Sequence, residues 1–336
     1  MRKIAILVGG LCLFLGFSSA WADATQESFM KSGGFQGMGA FEGDTVSRIQ
    51  GVKMWESTAT KFTGAILSRV AGGGEQIAIT RIDKGVLWAL DPKKKTYTET
   101  PIEPFKLGEM GDKEVGKEKP KVRVAKAEFT VKKTGASETI NAFPCEEYLI
   151  TWLVEMENLE TKAKTRDTMT TNLWTTPETA AIKKLQAEQA AFSKAYMKKI
   201  GINLSRTEMK QFGMEAFTAM SGAPQKDMEK EFNRFKNEMA KIKGYPIRTV
   251  VNWKVEGEGM TAPKAEPSAP EESQGITGGI GGVFGGLKGA ISKKLIGESK
   301  PAGEGPFFSS TVEVKAINTE SIPADTFEVP SEYVKK

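Results

Sequence analysis

The chain has 336 residues, 47 basic and 42 acidic, for a formal charge of +5, with no histidine and only two cysteines. The missing imidazole excludes Ser-His-Asp and Cys-His triads in their usual form, His-containing zinc sites and the commonest general acid-base group. The basic excess is small and scattered, which argues against nucleic acid, whose binders cluster Lys and Arg.

Arg2 and Lys3 open the chain as a basic n-region, and Ile4 to Phe17 is an apolar run of h-region length. Ala20-Trp21-Ala22 then offers small residues where a signal peptidase reads, so cleavage is expected after Ala22 and the mature chain in the periplasm. The run breaks at Ser18-Ser19, short of the roughly 20 apolar residues of a spanning helix. Cys12 leaves with the signal. Cys145 then has no intramolecular partner and reads as a small buried hydrophobe.

Residues 23–44, rich in Gly and Met, read as irregular. The β pattern begins at residue 45 and runs to 176. Ile77 and Ile79 alternate with polar neighbours, and Val86, Trp88 and Leu90 continue the two-residue period. Asp91-Pro92-Lys93-Lys94-Lys95 marks the turn to Thr96-Tyr97-Thr98. After a charged loop at 106–121, Ala127, Phe129 and Val131 share a face. Within Cys145–Met156, Tyr148, Ile150, Trp152, Val154 and Met156 share one face, with Leu149 and Leu153 on the other. A strand apolar on both faces should be covered on both sides.

The period changes at residue 177, and 177–244 reads as a three-helix excursion. Thr176 is its expected N-cap with Pro177 at the first position, followed by the stripe Ile182, Leu185, Phe192 and Tyr196. Ser205 and Glu208 match a capping box ahead of Met209, Phe212, Ala216 and Met220. The third helix, about 224–243, carries Met228, Phe232, Phe235 and Met239 and stops at Gly244. Strand character returns at 245–256, where Ile247, Thr249, Val251, Trp253 and Val255 alternate with polar residues. Residues 257–305 turn to Gly, Pro and Ser and read as a flexible insertion. Residues 306–336 supply a last strand and a Pro-punctuated tail. The expected class is α+β, an antiparallel sheet with the helices packed against it.

No enzyme signature emerges. Glu146 and Glu147 are adjacent on a strand and point to opposite faces. Gly281 and Gly286 have Walker spacing, but Leu287 stands where lysine is required. No cofactor and no metal are expected.

Several stretches resemble domain-of-unknown-function family 4412, a bacterial envelope family akin to the lipoprotein carriers LolA and LolB. They are Arg81-Ile82-Asp83 leading to Leu87-Trp88-Ala89-Leu90-Asp91-Pro92, Lys95-Thr96-Tyr97, Phe143-Pro144-Cys145-Glu146-Glu147-Tyr148, Leu173-Trp174-Thr175-Thr176, Lys243-Gly244-Tyr245-Pro246, Ile322-Pro323-Ala324 and Phe327-Glu328-Val329-Pro330. The resemblance spans about residues 50–333. It implies a strongly curved sheet, a half-open β-barrel, whose concave face is closed by helices and takes something hydrophobic. The long helical excursion and the Gly-rich insertion depart from it.

Two sets of candidate residues follow. Trp88, Tyr148, Trp152 and Trp253 on strands, with Met209, Phe212, Met228, Phe232 and Phe235 on helices, either line a ligand cavity under a pliable lid or fill it as ordinary core. Phe284, Leu287, Lys288, Lys293 and Lys294, within 275–297, form a basic, weakly amphipathic pattern suited to an anionic bilayer surface. The glycines there equally suit a flexible linker. The expected function is a non-enzymatic periplasmic protein that binds an acyl chain, a lipid or a lipidated protein in the half-barrel. The alternative is an envelope scaffold whose barrel is filled and which docks a partner protein.

Overall fold

The computed structural model describes residues 23–35, 39–64, 73–104, 122–202, 228–257 and 306–336. Twelve strands form one sheet: β1 Ala24–Phe35, β2 Phe41–Gln50, β3 Lys53–Phe62, β4 Gly74–Arg81, β5 Val86–Asp91, β6 Thr96–Pro101, β7 Val122–Ile140, β8 Phe143–Asn158, β9 Lys164–Thr176, β10 Tyr245–Gly257, β11 Phe308–Asn318 and β12 Val334–Lys335. Among the described residues the helices are α1, Ala180–Lys199, and α2, Met228–Met239; a 3-10 turn spans Ala324–Phe327.

The sheet order is β12-β6-β5-β4-β3-β2-β1-β11-β10-β9-β8-β7. It consists of two antiparallel meanders, β1 to β6 and β7 to β11, joined where β1 pairs with β11. Short turns join most strands of the first meander and β7 to β9 of the second, whereas the β9–β10 and β10–β11 connections are long. The β7–β8 turn, for instance, places Asn141 and Ala142 at positive φ, the geometry that a two-residue hairpin loop requires.

This architecture corrects the expected half-open barrel. The sheet is open, because its two edge strands, β7 and β12, do not meet. It is also mixed rather than antiparallel throughout, since β12 lies parallel to β6. The three-helix excursion is corrected too. Among the described residues only α1 and α2 are helical, and the pattern read over 224–243 is realised as Met228–Met239 alone. The expected helix from Ser205 lies outside the described residues.

Residues 24–35 and 41–44 are not irregular. They supply β1 and the start of β2, pairing in unbroken register from Ala24 opposite Ile49 to Ser32 opposite Phe41. The glycines that suggested a loop serve this sheet. Gly34, at φ 68°, sits at a bulge against β11. Gly43 lies so close to β3 that a Cβ there would fall 2.7 Å from the Ala59 carbonyl oxygen.

Helix α1 starts one turn later than expected. Thr179, not Thr176, is the N-cap, its hydroxyl accepting from the Ile182 N–H at 3.2 Å. Thr176 instead ends β9, where it is buried. Ile182 and Leu185 of α1 pack on Ala24, Ile247 and Val314, while Phe192 packs near Ile49, Met54 and Ile82. Glu188 shares this buried stripe, and its carboxylate accepts the Gly51 N–H at 2.9 Å. A buried acid is thereby satisfied by a turn amide that no strand can use.

The opposite face of β3 to β6 is covered by the C-terminal tail. Met54 belongs to the cluster under α1, whereas the next residue, Trp55, packs with Phe327, so helix and tail lie on opposite sides of the sheet. Phe327 is fully buried among Ile79, Trp88, Leu90 and Ile322. Arg81, itself buried, anchors the tail. It donates to both Asp83 oxygens at 2.9 and 2.7 Å, to the Phe327 carbonyl at 3.2 Å and to the Glu328 carboxylate. Its guanidinium holds the Asp83 carboxyl below the usual carboxylate range. The tail ends by adding β12 to the β6 edge.

Removal of the Phe327 ring would leave a cavity beneath the strap. Phe327→Ala is expected to lower unfolding free energy by about 3–5 kcal/mol in a denaturant titration. A loss under about 1 kcal/mol would show that the tail is not part of the core.

Candidate apolar ligand face

The second meander carries one sided row of large apolar side chains. Cross-strand pairing places Phe129 of β7 opposite Trp152 of β8, Trp152 opposite Met169 of β9, Met169 opposite Trp253 of β10, and Trp253 opposite Phe308 of β11. Directly paired residues share a face, so all five project from the same side. At about 4.8 Å per strand the row runs for roughly 19 Å. All five are half-buried.

Ring geometry continues the row. Phe129 meets Trp152 edge-on at 6.1 Å between centroids, and Phe307 meets Trp253 at 4.9 Å and 71°. On flanking rows of the same face lie Val131, Ile150 and Val251, then Tyr148 and Leu173. Helix α2 bounds one end. Phe235 meets Phe129 at 4.5 Å between centroids with the rings tilted by 51°, and Glu238 accepts the Val131 N–H at 2.8 Å, using a donor on the edge strand that no neighbouring strand takes. Counting along β11 and β1 puts α1 on this same side, over Val314 and Gln26, at the other end.

One carboxyl interrupts the face. Asp167 lies two residues from Met169 on β9, opposite Val154 of β8 and Val255 of β10. Burial pushes its carboxyl up from the ordinary value of 3.8, and the Trp253 indole, within hydrogen-bonding reach, opposes that shift. Its charged neighbours in sequence and pairing, Arg166, Glu155 and Glu256, are one residue out of phase and project from the other side. There Arg166 donates to Glu155 at 2.6 Å.

The structure therefore sorts the residues singled out from sequence. Tyr148, Trp152 and Trp253 come together on one face, with Phe235 of α2 joined through Phe129. Trp88 does not belong with them. It lies on β5 beneath the C-terminal tail, buried, with its indole donating to Glu99 at 2.8 Å, so it is core. Met228 and Phe232 fall on α2, but their side chains lie outside what is described. Met209 and Phe212 lie outside the described residues, as do Phe284, Leu287, Lys288, Lys293 and Lys294 of the 275–297 segment and residues 1–22.

Met169, Phe308 and Asp167 escaped the sequence reading. Strand β9 is mostly Thr and charge, so its single methionine carried little weight. The two-residue period running Asp167, Met169, Thr171, Leu173 was nonetheless available. Cys145 is buried, with its thiol pushed up by burial and donating to the Phe143 carbonyl at 3.3 Å. Among the described residues no group of three or more His, Cys, Asp or Glu is placed to hold a metal ion. No helix among them is long and apolar enough to cross a membrane.

Comparison with known proteins finds no matching family model, no matching curated protein and no matching solved structure.

The Asp167 environment has a measurable sign. Its raised value means that the folded chain keeps this proton to a higher pH than the unfolded chain does. The group's stabilising contribution is complete below the unfolded value and is lost as pH rises through the folded one. Asp167→Asn is thus expected to raise Tm at pH 7 and to leave it nearly unchanged near pH 3, read from thermal melts at both. A variant less stable than the native chain at pH 7 would contradict the desolvation.

Proposed function

We propose that this is a non-enzymatic periplasmic protein that holds a hydrophobic ligand, the acyl chain of a lipid or of a lipidated protein, along the Phe129–Phe308 row. The carrying observation is the row itself: five large apolar side chains, contiguous across five strands and half-buried. Contiguous apolar surface of this kind marks interaction sites more often than chance. Its length of roughly 19 Å fits one acyl chain, since two such chains end to end make the roughly 30 Å bilayer core. The aromatic rings offer flat walls, and Met169 at the centre is the side chain best able to adapt to a flexible hydrocarbon. The resemblance to an envelope family akin to lipoprotein carriers supports the same reading through its ligand class.

Two measurements test this reading. The full chain is expected to bind a fluorescent fatty acid in competition with unlabelled acyl chains. Trp152→Ala should weaken that binding about tenfold, the equivalent of about 1.4 kcal/mol. The Trp88→Ala variant, altered on the tail side, should keep its affinity if it folds. Equal affinities for native and Trp152→Ala chains would remove the row from the function. For the location, amino-terminal sequencing of chain recovered from the native envelope is expected to begin at Asp23, and recovery with residues 1–22 attached would contradict export with cleavage.

A further inference from the structure

The apolar row explains the tail of an amphiphile but says nothing of its head. Asp167 does. It is the one carboxyl that cross-strand register sets among Val154, Val255, Met169 and Trp253, on the same face as the row. A solvated aspartate belongs on the opposite face, where Glu155, Arg166 and Glu256 already form an ionic surface. Placed among valines, Asp167 shares its face with Trp253, whose indole favours the charged carboxylate. A carboxylate accepts through two oxygens and about four lone-pair directions, more than one indole N–H can fill.

The geometry points to Asp167 as the headgroup anchor of the acyl-binding face, selecting an amphiphile whose polar end is an ammonium group. This rests on the acyl-binding reading proposed above and specifies the ligand's class. An ammonium returns the countercharge that the apolar surroundings withhold, and it donates charge-assisted hydrogen bonds, roughly twice as strong as neutral ones. A hydroxyl head would gain one ordinary hydrogen bond. A carboxylate or phosphate head without a cation would meet like charge in a poorly solvated place. Two residues of strand separate Asp167 from Met169, about 7 Å, so a head at Asp167 leaves its chain lying over the Trp152–Met169–Trp253 stretch.

The test uses the full chain and three twelve-carbon probes below their micellar concentrations: dodecylammonium, dodecanol and dodecanoate, followed by calorimetry. Dodecylammonium is expected to bind at least tenfold more tightly than either of the others. Asp167→Asn, which keeps the shape of the side chain and removes its charge, should reduce that preference to within twofold. Equal binding of ammonium and alcohol by the native chain would overturn the headgroup assignment and leave the acyl face standing. So would a preference that survives in Asp167→Asn. If none of the three probes binds, the acyl-binding reading itself fails, and the anchor with it.

Discussion

The pairing of β1 with β11 is the constraint on which the rest of the molecule depends. Each meander is held by pairing between strands adjacent in order, but only this ladder, from Thr25 opposite Asn318 to Phe35 opposite Phe308, makes them one sheet. It also positions α1, whose buried stripe needs Ala24 from one meander and Ile247 and Val314 from the other to pack against. Asp23 reinforces the junction, donated to by the Gln50 side-chain amide at 2.9 Å and by the Ile322 N–H at 2.5 Å. Without the ladder, two strands of ten or more residues would present unpaired edges, the geometry that invites association with other chains.

A single open sheet has two faces to cover, and the molecule divides that task unevenly. The first meander is sandwiched, with α1 meeting the β2 and β3 ends on one side and the Phe327 strap filling the other. The second meander is sided by composition instead. One face bears ion pairs such as Arg166 with Glu155 and Arg248 with Glu138 and Glu313. The other bears Phe129, Trp152, Met169 and Trp253, bounded at its edge by α2. Exposed ion pairs such as Arg166 with Glu155 contribute about 0–1 kcal/mol each, so they mark the solvent side of the sheet rather than hold it together.

The strands of both meanders were legible because alternation is a local signal. Ile77 and Ile79, Val86 to Leu90, and Tyr148 to Val154 all fall where the two-residue period placed them. The stripe Ile182, Leu185, Phe192 was legible for the same reason at the helical period, although its cap was misplaced by one turn because both Thr176 and Thr179 are competent N-caps. Pro177, directly after Thr176, suits the first helical position and so favours the earlier one. The first strand was hidden by its glycines, which read as loop residues yet here meet a bulge and a close strand approach. The joining of β1 to β11 was beyond reach, since nothing local to residues 24–35 encodes a partner at 308–318. The barrel came from family resemblance rather than from residues, and openness depends on which edges meet, a property of the whole sheet. The tail's role was invisible for a related reason: Arg81 and Phe327 are partners only once the sheet between them exists.

Strand order carries a kinetic consequence. The centre of the sheet joins the beginning of the chain to residues near its end, so its contacts are among the most non-local possible, and loop-closure entropy must be met before any of them forms. A nascent chain could fold β2 to β6 early, but β1 would keep one bare side until residue 318 had been made. During that interval the bare side of β1 is an unpaired strand edge, which is hazardous in a crowded solution. Late completion of the middle, rather than of the margins, is the signature that this topology imposes.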